Sequence, residues 1–162
     1  MRILSHAGLG ILIKIHIEDR SIWISRFTNF KLRHGESVFN VQDRIGGDPL
    51  LTERGVRYSI ALAEFIKSNS KRPEGIPKGE EWLGVWTSNL RRAMFIADLF
   101  DDSETTVCNF KILNEIYAGD FDSMTFKDFE QNHPIEWDER QKNKLIWRYP
   151  GAGGESYLVI QF

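Results

Sequence analysis

The chain has 162 residues, 41% of them hydrophobic and 27% charged, the make-up of one soluble globular domain able to bury a core. A formal net charge of −2 excludes a general nucleic-acid or anionic-membrane binder, so an anionic ligand must be held by a local basic cluster. The single cysteine, Cys108, excludes an intrachain disulfide; it suits a reducing, cytoplasmic setting and reads as structural.

In chain order, "MRILSHAGLGILIKIHIEDR" opens with an apolar run that Lys14 and His16 interrupt. A membrane span needs about 18 uninterrupted apolar residues, and no small-residue cleavage site follows, so neither a span nor a signal peptide is expected. "SIWIS" (21–25), β-branched and aromatic, predicts a buried strand. "IGGDPLLTERG" reads as a loop, after which Thr52 caps a helix with Val56, Ile60, Ala63 and Ile66 on its core face. Residues 69–81 read as a polar surface loop and "LGVWTS" (83–88) as the second strand. The next helix places Ala93, Ile96, Ala97 and Phe100 on one side. Thr125 and Asp128 resemble a capping box for a short helix that Pro134 ends, and Pro134 in turn starts a helix over about 134–146. Strands alternating with helices predict an α/β domain.

"KLRHGESVFN" (31–40) crowds a cation, an imidazole and a glycine into three positions. Just past a strand, His34 would stand at the sheet rim where α/β folds place ligands. Arg33 supplies a donor fork suited to phosphate, and Gly35 lets backbone approach closely. The set suits an imidazole that accepts a phosphoryl group. "VWTSNLRRAM" puts two arginines near a helix start, a favourable address for an anion. Glu115, in an apolar Leu-Asn-Glu-Ile setting, is a candidate general acid because partial burial favours the protonated carboxyl. Arg140, Lys144 and Arg148 recur every fourth residue, which on a helix lines one face. Taken singly, each has a plain alternative: a surface histidine beside a surface arginine, an ordinary surface glutamate, a solvated helix face.

Together, "RHGES", "FN", "DRIGGDPLLTERG", "VWTSNLRRA", "LNEIYAGDFDSMT", "RYP" and "GESY" resemble the bisphosphatase domain of 6-phosphofructo-2-kinase/fructose-2,6-bisphosphatase, within the histidine phosphatase superfamily. "RHGE" is common to that superfamily, phosphoglycerate mutases included, whereas "RIGGD", "LNEIYAG" and "RYP…GESY" are more particular. The resemblance implies a three-layer α/β domain with a mainly parallel central sheet over residues 21–162, and residues 1–20 as the joint that follows a kinase domain. It implies His34 as phosphoryl acceptor and Glu115 as the acid that protonates the leaving sugar oxygen and then assists water. Arg33, Asn40 and Arg92 would hold the transferred phosphate, with Arg26 in reserve for Arg33. Arg140, Lys144, Arg148 and Tyr157 would form the pocket for the sugar and its 6-phosphate. No metal or cofactor takes part in this chemistry, and the ligand is a phosphorylated sugar, fructose 2,6-bisphosphate, cleaved to fructose 6-phosphate and phosphate.

The pattern also departs from the family. "FTNFKLR" (27–33) separates "SIWISR" from His34, so either the strand slides, with Phe30 and Leu32 inward, or a loop bulges there. "YPGAGGESY" carries two extra residues before "GES", which loosens the match of Tyr157. Phe126 stands where the mammalian-type pattern has a tyrosine. The family's second catalytic histidine belongs to a Cys-His-Gln-type motif beyond "GESY", which this sequence does not reach, and His133 in its "NHP" turn matches no catalytic position. His6 and His16 read as ordinary exposed or interface residues. A C-terminally truncated domain is therefore expected, with weak or lost activity and self-association through an open apolar face. No Gly-x-x-x-x-Gly-Lys-Ser/Thr run occurs, so no ATP binding is expected. A non-catalytic sugar-phosphate-binding or degenerate fragment, and a broader histidine phosphatase or phosphoglycerate mutase-like enzyme, stand as alternatives.

Overall fold

The computed structural model describes residues 11–15, 29–70, 72, 75–100 and 103–158, with backbone alone for 11–15 and 29–31. The expected strand at 21–25, Arg26, His6 and His16 lie outside the described residues.

Among the described residues, β1 (Ile11–Ile15), β2 (Asn29–Leu32), β3 (Leu83–Thr87) and β4 (Thr105–Asn109) form one sheet in the order β2-β1-β3-β4. β1 pairs antiparallel with β2 and with β3, Ile11 standing opposite both Leu32 and Thr87. β3 and β4 pair in parallel, with Val85 opposite Val107. Hence β2, β3 and β4 share one direction and β1 alone is reversed. The segment that resembles a joint thus contributes a strand, inserted between β2 and β3. β2 ends at Leu32, two residues before His34, as the slid strand requires at that end; residues 27 and 28 lie outside the described residues. Leu32 packs against the main core.

That core gathers on β3, α2 (Glu53–Asn69) and α3 (Arg91–Asp98). In "LGVWT" the alternation buries Leu83, Val85 and Thr87, as a pleated strand with one covered face requires. Ala93, Ile96, Ala97 and Phe100 are all buried, and full burial of a side chain like that of Phe100 contributes about 1.5–3 kcal/mol. Thr52 caps α2 by accepting a hydrogen bond from Gly55 N at 3.1 Å. The buried face of α2 is Gly55, Ser59, Ala63 and Ile66, so the expected Ile60 is corrected to a side chain 40% exposed and Val56 to a half-buried one. The physical reason is a backbone crossing that periodicity cannot show. A Cβ on Gly35 would lie 2.2 Å from Gly55 O, so the helix meets the His34 loop through its glycine.

A second, aromatic core joins Ile45, Ile116, Phe121, Phe129 and Tyr149 beneath α4 (Phe126–Asn132) and α5 (Pro134–Lys142). Phe121 and Phe129 lie 4.4 Å apart, and the His133 ring packs 4.7 Å from Phe121, so His133 belongs to this core. Thr125 caps α4 through Asp128 N at 3.0 Å, and Pro134 opens α5. α5, however, stops at Lys142 rather than 146. Asn143 Oδ1 accepts from Leu145 N at 3.2 Å and Ile146 N at 3.4 Å, drawing the next amides out of the helix. Among the described residues, no helix is long and apolar enough to cross a membrane.

Candidate active site

Three chain segments leave the sheet at the same edge because β2, β3 and β4 point the same way. His34 follows β2 by two residues, Arg92 follows β3 by five and Glu115 follows β4 by six. This is the carboxyl rim where open α/β sheets receive ligands.

His34 is buried, 8% exposed, and its ring is held at both nitrogens. Nδ1 lies 2.6 Å from Gly35 O, and Arg92 Nε lies 3.1 Å from Nε2. A carbonyl can only accept and a guanidinium can only donate, so the network assigns the proton to Nδ1 and the lone pair to Nε2. The imidazole is neutral with its nucleophilic nitrogen facing the guanidinium. Burial, foremost, lowers the His34 pKa below 6.5; the Gly35 bond opposes this, the Arg92 charge adds to it, Glu115 opposes and Arg33 adds. The folded protein therefore refuses a proton that the unfolded chain takes up as pH falls through 6.5. Stability from this group is fully present above 6.5 and is lost on acidification towards the lowered folded value. We expect His34→Gln to flatten the fall of chemical-denaturation midpoint in that window; an unchanged slope would show the ring titrating normally.

Arg92, 3% exposed, divides its fork among three partners. Besides His34, Nη1 donates to Gly47 O at 2.9 Å and Nη2 donates to Glu115 Oε2 at 2.5 Å. A buried cation is tolerable only with such pairing. The carboxylate of Glu115 keeps 26% of its side chain exposed, so water can reach it. Glu115 has the partial burial expected of it, but its neighbour is the Arg92 guanidinium rather than an apolar setting. The arrangement can attack with Nε2, hold anionic oxygens with guanidinium donors, and move a proton at Glu115.

Arg33 is exposed, close enough for its charge to act on the ring. Asn40 lies on the short helix α1 (Val38–Val41), and its Oδ1 accepts from Ser37 N at 2.9 Å and Ser37 Oγ at 2.9 Å. This capping box leaves the Asn40 amide NH₂ as its available group. Glu36 serves the same local frame, accepting from Thr52 Oγ1 at 2.9 Å.

The basic row is broken. Arg140 is buried at the end of α5, donates to Tyr149 Oη at 3.0 Å and lies over the Phe126 ring at 5.6 Å. With α5 ending at Lys142, Lys144 is an exposed loop residue and Arg148 turns to Gly154 O, 2.6 Å from its Nε. The expected single helical face of Arg140, Lys144 and Arg148 is therefore corrected to one buried and two loop cations. Tyr157 is half-buried against the aromatic core. Tyr149, missed by sequence reasoning, has its pKa raised, chiefly by burial, against the lowering influence of Arg140, with Tyr157 and Glu115 raising it further. Also missed were Gly47 and Asp48, although "RIGGD" was the available signal. An open cleft of about 860 Å³ borders Glu115 and is lined also by Gly47, Asp48, Lys111, Tyr117 and Glu155. Among the described residues, no group of three or more His, Cys, Asp or Glu could hold a metal ion.

Comparison with known proteins falls on this same segment. The sequence pattern of the histidine phosphatase superfamily, branch 1, matches residues 30–161. The chain belongs to the histidine phosphatase superfamily. The chain is 37% identical to 6-phosphofructo-2-kinase 1 of Saccharomyces cerevisiae, over 92% of this chain and 19% of that protein. It is 36% identical to human 6-phosphofructo-2-kinase/fructose-2,6-bisphosphatase 4, over 90% of this chain and 27% of that protein. The chain thus spans less than a third of each of these relatives, and the match is consistent with the bisphosphatase domain of the bifunctional human protein. Among solved structures, a mycobacterial glucosyl-3-phosphoglycerate phosphatase in complex with VO3 has a TM-score of 0.58 at 25% identity, over 78% of this chain and 58% of that one. An alpha-ribazole phosphatase of Shigella flexneri, TM-score 0.61 at 22% identity over 78% and 58%, shares the fold.

Proposed function

We propose that the chain carries a fructose 2,6-bisphosphate 2-phosphatase site that works through a phosphohistidine. The observation that supports this most is the His34 ring, with Nδ1 tied to Gly35 and Nε2 turned to the Arg92–Glu115 pair. In the first step the Nε2 lone pair attacks phosphorus and the bond from phosphorus to the sugar's 2-oxygen breaks; the bound phosphoryl oxygens replace the Glu115 carboxylate as partners of Arg92, so Glu115 enters this complex protonated and passes its proton to the leaving oxygen. Water then attacks the phosphohistidine, Glu115 takes the water's proton, and the P–N bond electrons return to Nε2. Arg92 and Arg33 neutralise the charge on the phosphoryl oxygens, and Asn40 donates from its amide. Arg140, held on Phe126 and Tyr149, receives the 6-phosphate with Lys144, Arg148 and Tyr157.

A broader phosphatase gains support from one finding: two of the three sugar-pocket cations lie on loops, which defines the second phosphate less tightly. Incubation with fructose 2,6-bisphosphate labelled at the 2-phosphate tests the proposal. We expect an acid-labile, base-stable phosphoenzyme that His34→Ala abolishes, and faster turnover of this ester than of phosphoglycerates. Labelling that survives His34→Ala would remove the nucleophile assignment. Binding of the sugar phosphate without any labelling would instead make the chain a binding module.

A further inference from the structure

The phosphate guanidinium needs an aim, and its own helix does not supply one. Leu90, the residue just before α3, has no polar side chain with which to cap it. The missing cap comes from the glycine loop of residues 44–48. Asp48 Oδ1 accepts from Arg91 N at 2.8 Å and Oδ2 from Arg91 Nε at 3.2 Å, while the Asp48 carbonyl also accepts from the Arg91 guanidinium. A carboxylate there satisfies an orphan amide and complements the helix dipole. The same Oδ1 stands 3.9 Å from Arg92 Nη1, whose hydrogen bond goes to the neighbouring Gly47 carbonyl.

The loop can serve as a fixed frame because it is itself anchored. Gly46 and Gly47 have φ of 60° and 66°, the left-handed region that glycine adopts without strain. Gly47 N donates to Asp122 Oδ1 at 3.0 Å, and a Cβ on Gly46 would lie 2.1 Å from that oxygen. From Asp122 through Gly47 and Asp48 to Arg92, the contacts run without a gap to His34 and Glu115.

We propose that Asp48 is a positioning residue, whose carboxylate fixes the start of α3 and so directs Arg92 at the His34 ring. This rests on the proposed role of Arg92 in holding the phosphoryl group, but its test does not depend on turnover. Arg33, Arg92 and Glu115 are the charged groups whose fields act on His34. If Asp48 acted by its own charge, removing it would lower the titration midpoint of His34. If it acts by aiming Arg92, removing it lets that cation drift and raises the midpoint.

The experiment uses the full chain labelled with ¹⁵N-histidine, followed by NMR titration, with orthovanadate as the oxyanion probe by calorimetry. For Asp48→Ala we expect a displaced His34 Nε2 resonance, an upward midpoint and vanadate affinity weaker by about tenfold. Asp48→Asn keeps an oxygen for Arg91 N and should stay within about twofold of the native affinity. A native resonance and midpoint in Asp48→Ala, or a lowered midpoint, would overturn the proposal, as would an Asn variant as damaged as the Ala one. Should Asp48→Ala fail to fold, Asp48→Ser, with its shorter reach, replaces it under the same expected and overturning results. Absence of fructose 2,6-bisphosphate turnover would end the substrate assignment and leave these resting-state readouts intact.

Discussion

Arg92→Ala is expected to slow phosphoenzyme formation by about a hundred- to a thousandfold, the loss found when one preorganised oxyanion donor is removed, roughly 3–4 kcal/mol. Arg92 stands at the top of this range because it is 3% exposed, where a charge–charge bond is little screened by water. Its removal also strands Gly47 O and the Glu115 carboxylate, each bonded to it in the native protein. Leaving a buried acceptor unpaired costs about 1–3 kcal/mol, less where water reaches it as at Glu115, so the melting temperature should fall as well. Arg92→Lys keeps the charge but not the planar fork that reaches His34, Gly47 and Glu115 at once, and should recover little of the rate. A second sign is independent of turnover. The Arg92 charge lowers the His34 pKa, so its loss must move the NMR titration midpoint upward. A rate within a few-fold of native, with an unmoved midpoint, would remove Arg92 from the site.

The second large effect comes from a residue with no side chain. Gly35→Ala would place a Cβ 2.2 Å from Gly55 O and 2.7 Å from Gly55 Cα. Both obstacles are backbone atoms, so no rotamer change relieves the clash, and the His34 loop must lift from α2. Overpacking of this kind costs typically 1–3 kcal/mol and sometimes more, read as a lower unfolding midpoint. The catalytic loss should be larger. Gly35 O is the acceptor that holds Nδ1, so the same displacement frees the tautomer and moves the nucleophile. A misplacement of about 1 Å costs on the order of a hundredfold. Gly55→Ala attacks the same crossing from the other side, its Cβ falling 2.1 Å from Glu36 O, and should reproduce the loss. An alanine variant at either position that melts and labels like the native chain would show that the crossing has room to open.

The two variants mark where local pattern ends and packing begins. Caps, apolar periods and breakers are properties of adjacent residues, so Thr52, Thr125, Pro134 and the buried face of α3 are all legible in the residues themselves. Periodicity nonetheless assigns Ile60 to the core of α2, because it counts apolar side chains and cannot weigh a contact made by glycine backbones. It extends α5 as far as residue 146, and the row of cations through Arg148, because a four-residue spacing looks the same whether or not an asparagine side chain has taken the next amides.

For the site the division is similar. By themselves the residues "RHG", "NLRRA" and "LNEI" determined an imidazole, a guanidinium and a carboxyl, since side-chain chemistry is written in residue type. Their convergence was decided only by the tertiary structure, through the shared direction of β2, β3 and β4, which brings positions 58 and 23 residues apart into hydrogen-bond contact. The ring's tautomer, the pairing of Glu115 and the burial of Arg140 on Tyr149 belong to that second level too. Each depends on which distant backbone or ring closes over the group, and burial and pairing set a charge's energy only once the chain has folded around it.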